Sequence, residues 1–397
     1  MHIDSAVVLA GGEGERLRPL TRNRPKPMLS AGTRPILSHV LDALVDAGVE
    51  ELHIVVGYNR TRVQNHFGPT YRDCPITYHT QEKQLGTGHA LLQARDDIDK
   101  DFVVVNGDEL VRSGVVDSVI DAHTMDTIGT LAVLESERVA EYGAVRLDGD
   151  RVVELAEDPR DDTYRFLNRG VYAFGPSIFE TVDGTEQRNG ERRLTDAIGK
   201  HIDTGNQIRG VRTDGAWQGV TYPWHLLAVT TQVLSQGWLP YSERRTGVYV
   251  DDSASVHEDA TLVAPVVVSE DAVVDAQAVV GPYSAIGQNA TIGAGAIVRR
   301  TLVESDVTLG ANATAVDSVL AQGATLDVAV TLAGGSSDVH VGTAVHEDRT
   351  LGSVVADRAH VGGGATVKPG TLIGPNARIE AGSTVAENVA AGVEVRQ

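Results

Sequence analysis

Along the first half of the chain, short apolar runs alternate with stretches whose apolar positions recur at helical spacing. Ser5 to Leu9, Glu51 to Val56, Ile76 to His79 and Asp101 to Val105 have the length and aliphatic content of buried strands, and Pro35 to Ala47 reads as an amphipathic helix. That succession is the βαβ grammar of a mostly parallel sheet covered by helices. The predicted fold class for residues 1–232 is therefore α/β, a Rossmann-like sheet. Residues 233–247, with Pro240, Ser242 and the charged run Glu243-Arg244-Arg245, read as a linker or connecting helix.

The pattern then changes period. Aliphatic residues fall six apart at Val256, Leu262, Val268, Val274, Val280, Ile286, Ile292 and Val298, with small or β-branched residues such as Ala272, Ala278, Ala290 and Ala296 two positions earlier. The rule resumes at Val355, Val361, Val367, Ile373, Ile379 and Val385. A period of six fits neither a helix nor a free strand. It fits hexapeptide repeats, three to a coil, of a left-handed parallel β-helix over residues 248–397. The phase slips between Leu302 and Leu332, and residues 333–350 form a polar insertion expected to loop out of the solenoid. Such solenoids commonly associate through their flat faces, so a homo-oligomer is expected, with a trimer through the β-helix as the arrangement to test.

Composition narrows the partners. With 54 acidic against 34 basic side chains the net charge is -20, which disfavours nucleic acid and anionic membranes as partners. Lysine occurs only at 26, 83, 100, 200 and 368, and an acidic, lysine-poor surface is expected of a halophilic archaeon's protein. Cys74 is the single cysteine, so no intrachain disulfide forms and a cytoplasmic location is expected. No apolar run reaches the ~20 residues needed to span a bilayer.

The candidate chemistry begins where the first strand ends. Leu9-Ala10-Gly11-Gly12-Glu13-Gly14-Glu15-Arg16 is followed by Arg24-Pro25-Lys26-Pro27-Met28. Gly11, Gly12 and Gly14 let backbone N–H groups approach a triphosphate, and Arg16 and Lys26 can neutralise the reacting phosphates. A P-loop is excluded because Glu15-Arg16 follows Gly14 in place of Gly-Lys-Ser/Thr. A dinucleotide fingerprint is excluded because Leu17 stands at its third glycine and Pro19 interrupts the helix.

This segment resembles the signature of the sugar-1-phosphate nucleotidyltransferases, including those that use glucose-1-phosphate with UTP or dTTP. The resemblance continues in order through Gln81-Glu82-Lys83-Gln84-Leu85-Gly86-Thr87-Gly88, Asn106-Gly107-Asp108 and Asn168-Arg169-Gly170. It implies an in-line attack of a sugar-1-phosphate oxygen on the α-phosphorus of the nucleotide, with pyrophosphate leaving and Mg²⁺ bridging phosphates. It assigns Arg16 to the β and γ phosphates, Lys26 to the α-phosphate and Asp108 to the metal. Leu9, Gly11, Gly12, Gly14, Gln81, Gly86 and Thr87 would line the nucleotide, and Glu157, Asn168 and Arg160 the sugar phosphate.

Three departures stand out from the resemblance, of which Pro223-Trp224-His225 in place of Pro-Trp-Asp reads as structural and the other two touch the chemistry. Glu157-Asp158-Pro159 replaces Glu-Lys-Pro, whose lysine holds the sugar phosphate, leaving Arg160 or Arg165 to supply the charge. Trp217-Gln218-Gly219 replaces Trp-x-Asp, whose aspartate is the second metal ligand, and neither Asp214 nor Glu109 stands at the matching position. A regulatory, nucleotide-binding paralogue is therefore the alternative. The insertion also resembles the break in bifunctional uridyltransferase/acetyltransferases, but residues 310–317 contain no histidine to act as a base, and His340, His346 and His360 are displaced. His89 and the Tyr222-Pro223-Trp224 cluster read as packing residues.

Overall fold

In the computed structural model, residues 3–124, 126–136, 143–156, 164–214 and 219–396 are described. The chain divides into two compact units, one of Met1–Glu13, Pro25–Met28 and Ile36–Trp217, the other of Gly14–Arg24, Leu29–Pro35 and Gln218–Gln397. The signature segment thus alternates between units, which the linear reading of residues 1–232 as one block did not anticipate.

The first unit holds a ten-stranded sheet of β1 (Ser5–Ala10), β2 (Glu51–Val56), β3 (Thr70–Tyr71), β4 (Cys74–Thr80), β5 (Phe102–Asn106), β6 (Gly129–Glu135), β7 (Ala144–Asp148), β8 (Arg151–Ala156), β9 (Phe166–Phe174) and β10 (Ile208–Arg212). Their spatial order is β3-β4-β2-β1-β5-β9-β6-β10-β8-β7. Strands β4, β2, β1 and β5 run parallel, and β9 is antiparallel to both of its neighbours β5 and β6. The runs read from the sequence are continuous because both faces are covered. Ala6, Val8 and Ala10 pack with α1 (Ile36–Asp46), α2 (Arg60–Phe67) and, beyond α3 (Thr87–Leu92), α4 (Ser113–Ala122). Val7 and Leu9 face α3, α5 (Ile178–Asp183) and α6 (Leu194–Asp203).

The second unit contains a three-sided parallel β-helix whose sheets have eight, eight and seven strands. Its axis is filled by the period-six aliphatics and by the alanines two positions before them. The phase slip has a simple cause: Ile286 pairs with Val303, Val303 with Leu320 and Ala315 with Leu332, so these coils are one residue shorter than the coils that pair Val268 with Ile286. The residue is lost at the same corner each time. Buried Ser284, Thr301, Ser318 and Ser353 stack there, and the hydroxyl oxygens of the first three accept from the backbone N–H of the next, at 3.4, 3.3 and 3.0 Å. Side-chain oxygens thereby satisfy buried backbone donors where the coil shortens. The inserted segment is an antiparallel hairpin, Ser336–Val341 with Ala344–Thr350.

Residues 233–247 are not a free linker. Helix α7 (Pro223–Gln236) carries its apolar stripe Leu226, Val229, Val233 and Leu234 past position 232 and ends at Gly237 in the left-handed conformation. Tyr241 Oη donates to Glu270 Oε2 at 2.9 Å, and the charged run Glu243–Arg245 is an exposed edge strand paired with Val248–Val250.

Candidate active site

Parallel strands present their C-terminal ends as a crevice, and three neighbouring strands here each run out into glycine: Gly11 after β1, Gly57 after β2 and Gly107 after β5. The first two are required by close approach. A Cβ at Gly57 would stand 2.7 Å from Gly11 O, and one at Gly11 would stand 2.9 Å from Gln81 Oε1. Gly12 faces open space, with nothing within 4 Å of a would-be Cβ. Gln84 Nε2 donates to Gly11 O at 3.1 Å, fixing that turn. Gly57 was missed in the sequence, although a glycine directly after three of the parallel strands was a visible signal, and Gln84, quoted there within its motif, was given no role.

Gln81 is 5% exposed, and its Nε2 donates to Gly86 O at 3.1 Å and to His89 Nδ1 at 3.0 Å. Burial and the charge of Arg192 push the His89 pKa down, so the neutral ring accepts that bond. His89 therefore orients Gln81, a more specific role than helix packing. Gly86 and Gly88 are glycines because the backbone of Arg192 lies against them: a Cβ would stand 2.6 Å from its carbonyl oxygen at Gly86 and 3.0 Å at Gly88. Thr87 Oγ1 accepts from Leu194 N at 3.0 Å, so its hydroxyl anchors α6 to α3.

On the other side of β1, Lys26 forms an ion pair with Asp108, which follows the end of β5. Both side chains are partly exposed, at 17% and 29%. Beside them Asn106 Nδ2 donates to Glu109 Oε1 at 3.2 Å, and Gly170, at φ 65°, leaves room for both: a Cβ there would meet Asn106 Nδ2 at 2.4 Å and Glu109 Oε2 at 2.9 Å. Gly170 lies in a register shift of β9 between Asn168 and Tyr172. Asn168 Nδ2 donates to Tyr172 Oη at 2.6 Å, and its Oδ1 accepts from Gly170 N at 3.1 Å. Arg169, 2% exposed, donates from Nη1 to Thr213 Oγ1 and Asp214 O, and burial lowers its pKa while Glu109 opposes that shift.

The predicted residues thus fall into groups. Leu9, Gly11, Gly12, Gln81, Gly86 and Thr87 gather at one end of the parallel strands, and Lys26 meets Asp108. Gly14 and Arg16 belong to the second unit, where Gly14, at φ 71°, opens the short turn Glu15–Leu17 and Arg16 is exposed. Glu157, Asp158 and Arg160 lie outside the described residues, as does Trp217. Tyr222 and Trp224 stack on each other and hold His346 of the hairpin, with ring centroids 4.4 and 5.2 Å away, so this cluster seats the insertion. His360 pairs with Asp327 on the adjacent coil at 3.0 Å. Among the described residues no helix is long and apolar enough to cross a membrane, and no three His, Cys, Asp or Glu residues form a metal cluster.

Comparison with known proteins places these features. The Nucleotidyl transferase family model matches residues 5–236, and the GMPPB C-terminal domain model matches residues 262–352. The Bifunctional protein GlmU of Methanocaldococcus jannaschii is 31% identical over 270 residues, 67% of this chain and 60% of that protein. The chain thus spans about 60% of the length of that relative. The UTP--glucose-1-phosphate uridylyltransferase AglF of Haloferax volcanii is 37% identical over 223 residues, 55% of this chain and 91% of that protein. A UDP-glucose pyrophosphorylase solved with UDP-glucose shares the fold over 59% of this chain and 100% of its own, with TM-score 0.54 at 22% identity. With the family match running from β1 through the whole ten-stranded sheet to the end of α7, this chain belongs to the nucleotidyl transferase family.

Proposed function

We propose that the protein transfers a nucleotidyl group from UTP or dTTP to a sugar-1-phosphate, glucose-1-phosphate or a close relative, releasing pyrophosphate. The Lys26–Asp108 pair beside the glycine-lined strand ends carries this reading. A sugar-phosphate oxygen forms a bond to the α-phosphorus as the bond to the bridging oxygen of pyrophosphate breaks, so no proton needs to be abstracted. What the chain must do is align two anions and offset their repulsion, with Lys26 on the α-phosphate and Arg16 on the leaving phosphates. Gln81, oriented by Gly86 and His89, faces the base, and Asn168, fixed by Tyr172 and Gly170, faces the sugar.

The donor set fits Mg²⁺, a hard cation that takes one or two carboxylates and completes its shell with substrate phosphates and water. Asp108 would hold it, with Glu109 next in the chain. When bound, the ion draws charge from the phosphates and so favours departure of pyrophosphate. The UTP in the name of the relative from Haloferax volcanii supports UTP, and the acidic, lysine-poor composition sets the assay in molar KCl.

The test is pyrophosphate release with Mg²⁺, crossing UTP and dTTP with glucose-1-phosphate and N-acetylglucosamine-1-phosphate. Lys26→Ala is expected to lower kcat by roughly 10²- to 10³-fold while the fold and melting temperature stay unchanged. Gly219, with no side-chain oxygen, is the observation favouring a regulatory reading; nucleotide binding without turnover in every combination would establish it instead.

A further inference from the structure

Arg24 opens the Arg24-Pro25-Lys26 run, yet the phosphate chemistry gives it no task. It is 5% exposed and donates from Nη1 to Glu304 Oε2 at 2.6 Å and from Nη2 to Asp357 Oδ1. Those carboxylates are themselves 5% and 6% exposed. They stand on rungs of the solenoid two apart, about 10 Å along its axis, with the rung of Val319–Leu320 between them. Buried Ala321 keeps the intervening position small. Asp357 Oδ2 accepts from Asn23 Nδ2 at 3.2 Å, and Glu304 Oε2, besides its bond to Arg24, accepts from Gln322 N at 3.1 Å.

A buried ion triad contributes little net stability compared with apolar residues of the same volume, because desolvation offsets the attraction. Here the desolvation is severe, since Arg24 Nε is buried without a hydrogen-bond partner among the described residues. What such a triad supplies is one seating of the segment that carries it. That segment, Gly14–Arg24, groups with the solenoid and contains Gly14 and Arg16. Thr21 Oγ1 donates to Gly14 O at 2.8 Å, and Leu17 N donates to Gly14 O at 3.0 Å, so the turn at Gly14 is braced from within.

We propose that Arg24 is a positioning residue: Glu304 and Asp357 of the β-helix seat the phosphate-binding segment through it, making nucleotide affinity depend on carboxylates some 300 residues away in sequence. The proposal rests on the nucleotidyl-transfer reading for the role of Arg16, and its test separates the two. In the full chain, Asp357→Asn and Glu304→Gln are expected to raise the KM for UTP roughly tenfold to a hundredfold, with the KM for the sugar phosphate unchanged. Partial unfolding would lower apparent kcat and leave KM alone. Arg24→Lys is expected to restore part of the affinity lost in Arg24→Met.

Hydrogen exchange of the Leu17 and Arg18 amides, bonded to Gly14 O and Glu15 O, should accelerate in both carboxylate variants. If the wild type turns over no substrate, the transfer reading fails, and calorimetric titration with UTP then replaces KM. Unchanged UTP affinity together with unchanged exchange at Leu17 and Arg18 in both carboxylate variants would overturn the positioning role.

Discussion

In the solenoid, each core side chain meets the one a coil further along the chain, such as Leu309 with Leu326 and Leu326 with Val361. In the α/β unit, the groups that matter come from remote places: Gly11, Gly57 and Gln81 touch although three separate strands deliver them. One region is close to a sum of neighbour terms, whereas the other converges on a few crowded points. Damage to core side chains should therefore stay local in the first and spread to chemistry in the second.

The strongest way to break this comparison is a core truncation in the solenoid. Leu326→Ala removes a fully buried side chain and is expected to destabilise that unit by about 2–5 kcal/mol. A second truncation at Leu309, on the adjoining rung, should couple with it, while one at Ile379, two rungs away, should add within about 0.5 kcal/mol. Thermal unfolding of the two double variants reads this directly; equal coupling at both distances would mean that the solenoid is not one-dimensional in its energetics.

A smaller effect on stability with a larger one on activity is expected at Gly57→Ala. The added methyl runs into Gly11 O, which is backbone and cannot rotate away, and should cost about 1–3 kcal/mol. Because the displaced atom belongs to the glycine turn, the KM for UTP should rise at temperatures where the protein remains folded.

The mildest perturbation is pH. Burial holds the pKa values of His53, His79, His123 and His201 below the ordinary 6.5, and all four lie in the α/β unit. His53 Nδ1 and His79 Nε2 share a hydrogen bond of 3.0 Å, which needs an unprotonated nitrogen on the accepting ring, so both rings cannot be charged at once. The unfolded imidazoles take protons as pH falls through 6.5, while the folded ones resist. Their contribution is complete above that pH and is lost below it, so the α/β unit should melt progressively earlier between pH 7 and pH 5. A melting profile that is flat across this window would contradict the burial argument.

Much of this was legible because the relevant signals are local. The hexapeptide period named the solenoid core on either side of the phase slip, from Val268 to Val298 and from Val355 to Val385, and the apolar runs at Ser5 and Glu51 announced central strands because a strand covered on both faces leaves few polar positions. Strands β7, β8 and β10 were harder, since Arg146, Glu154 and Arg209 interrupt their apolar pattern. The one-residue phase slip was visible, but its cause was not: a serine or threonine at a corner looks like any turn residue until the next coil places its N–H beside the hydroxyl. For the site, motif residues identified Lys26 and Asp108 separately, and only the fold shows them paired. Arg24 was invisible because its partners, Glu304 and Asp357, look like two more acids in a chain rich in them.

The hydroxyl stack bears on how this protein tolerates change. At that corner the chain advances from Val303 to Leu320 in one coil and from Leu320 to Val355 in the next, a detour that includes the whole hairpin, yet the rungs stay in register and Ser353 N still reaches Ser318 Oγ. The corner behaves as a splice point: closure is secured by a side chain on the preceding coil and does not depend on the length of chain that leaves and returns. Segments of different length and chemistry can be exchanged there across a lineage, or by an engineer, without redesigning the core beneath them.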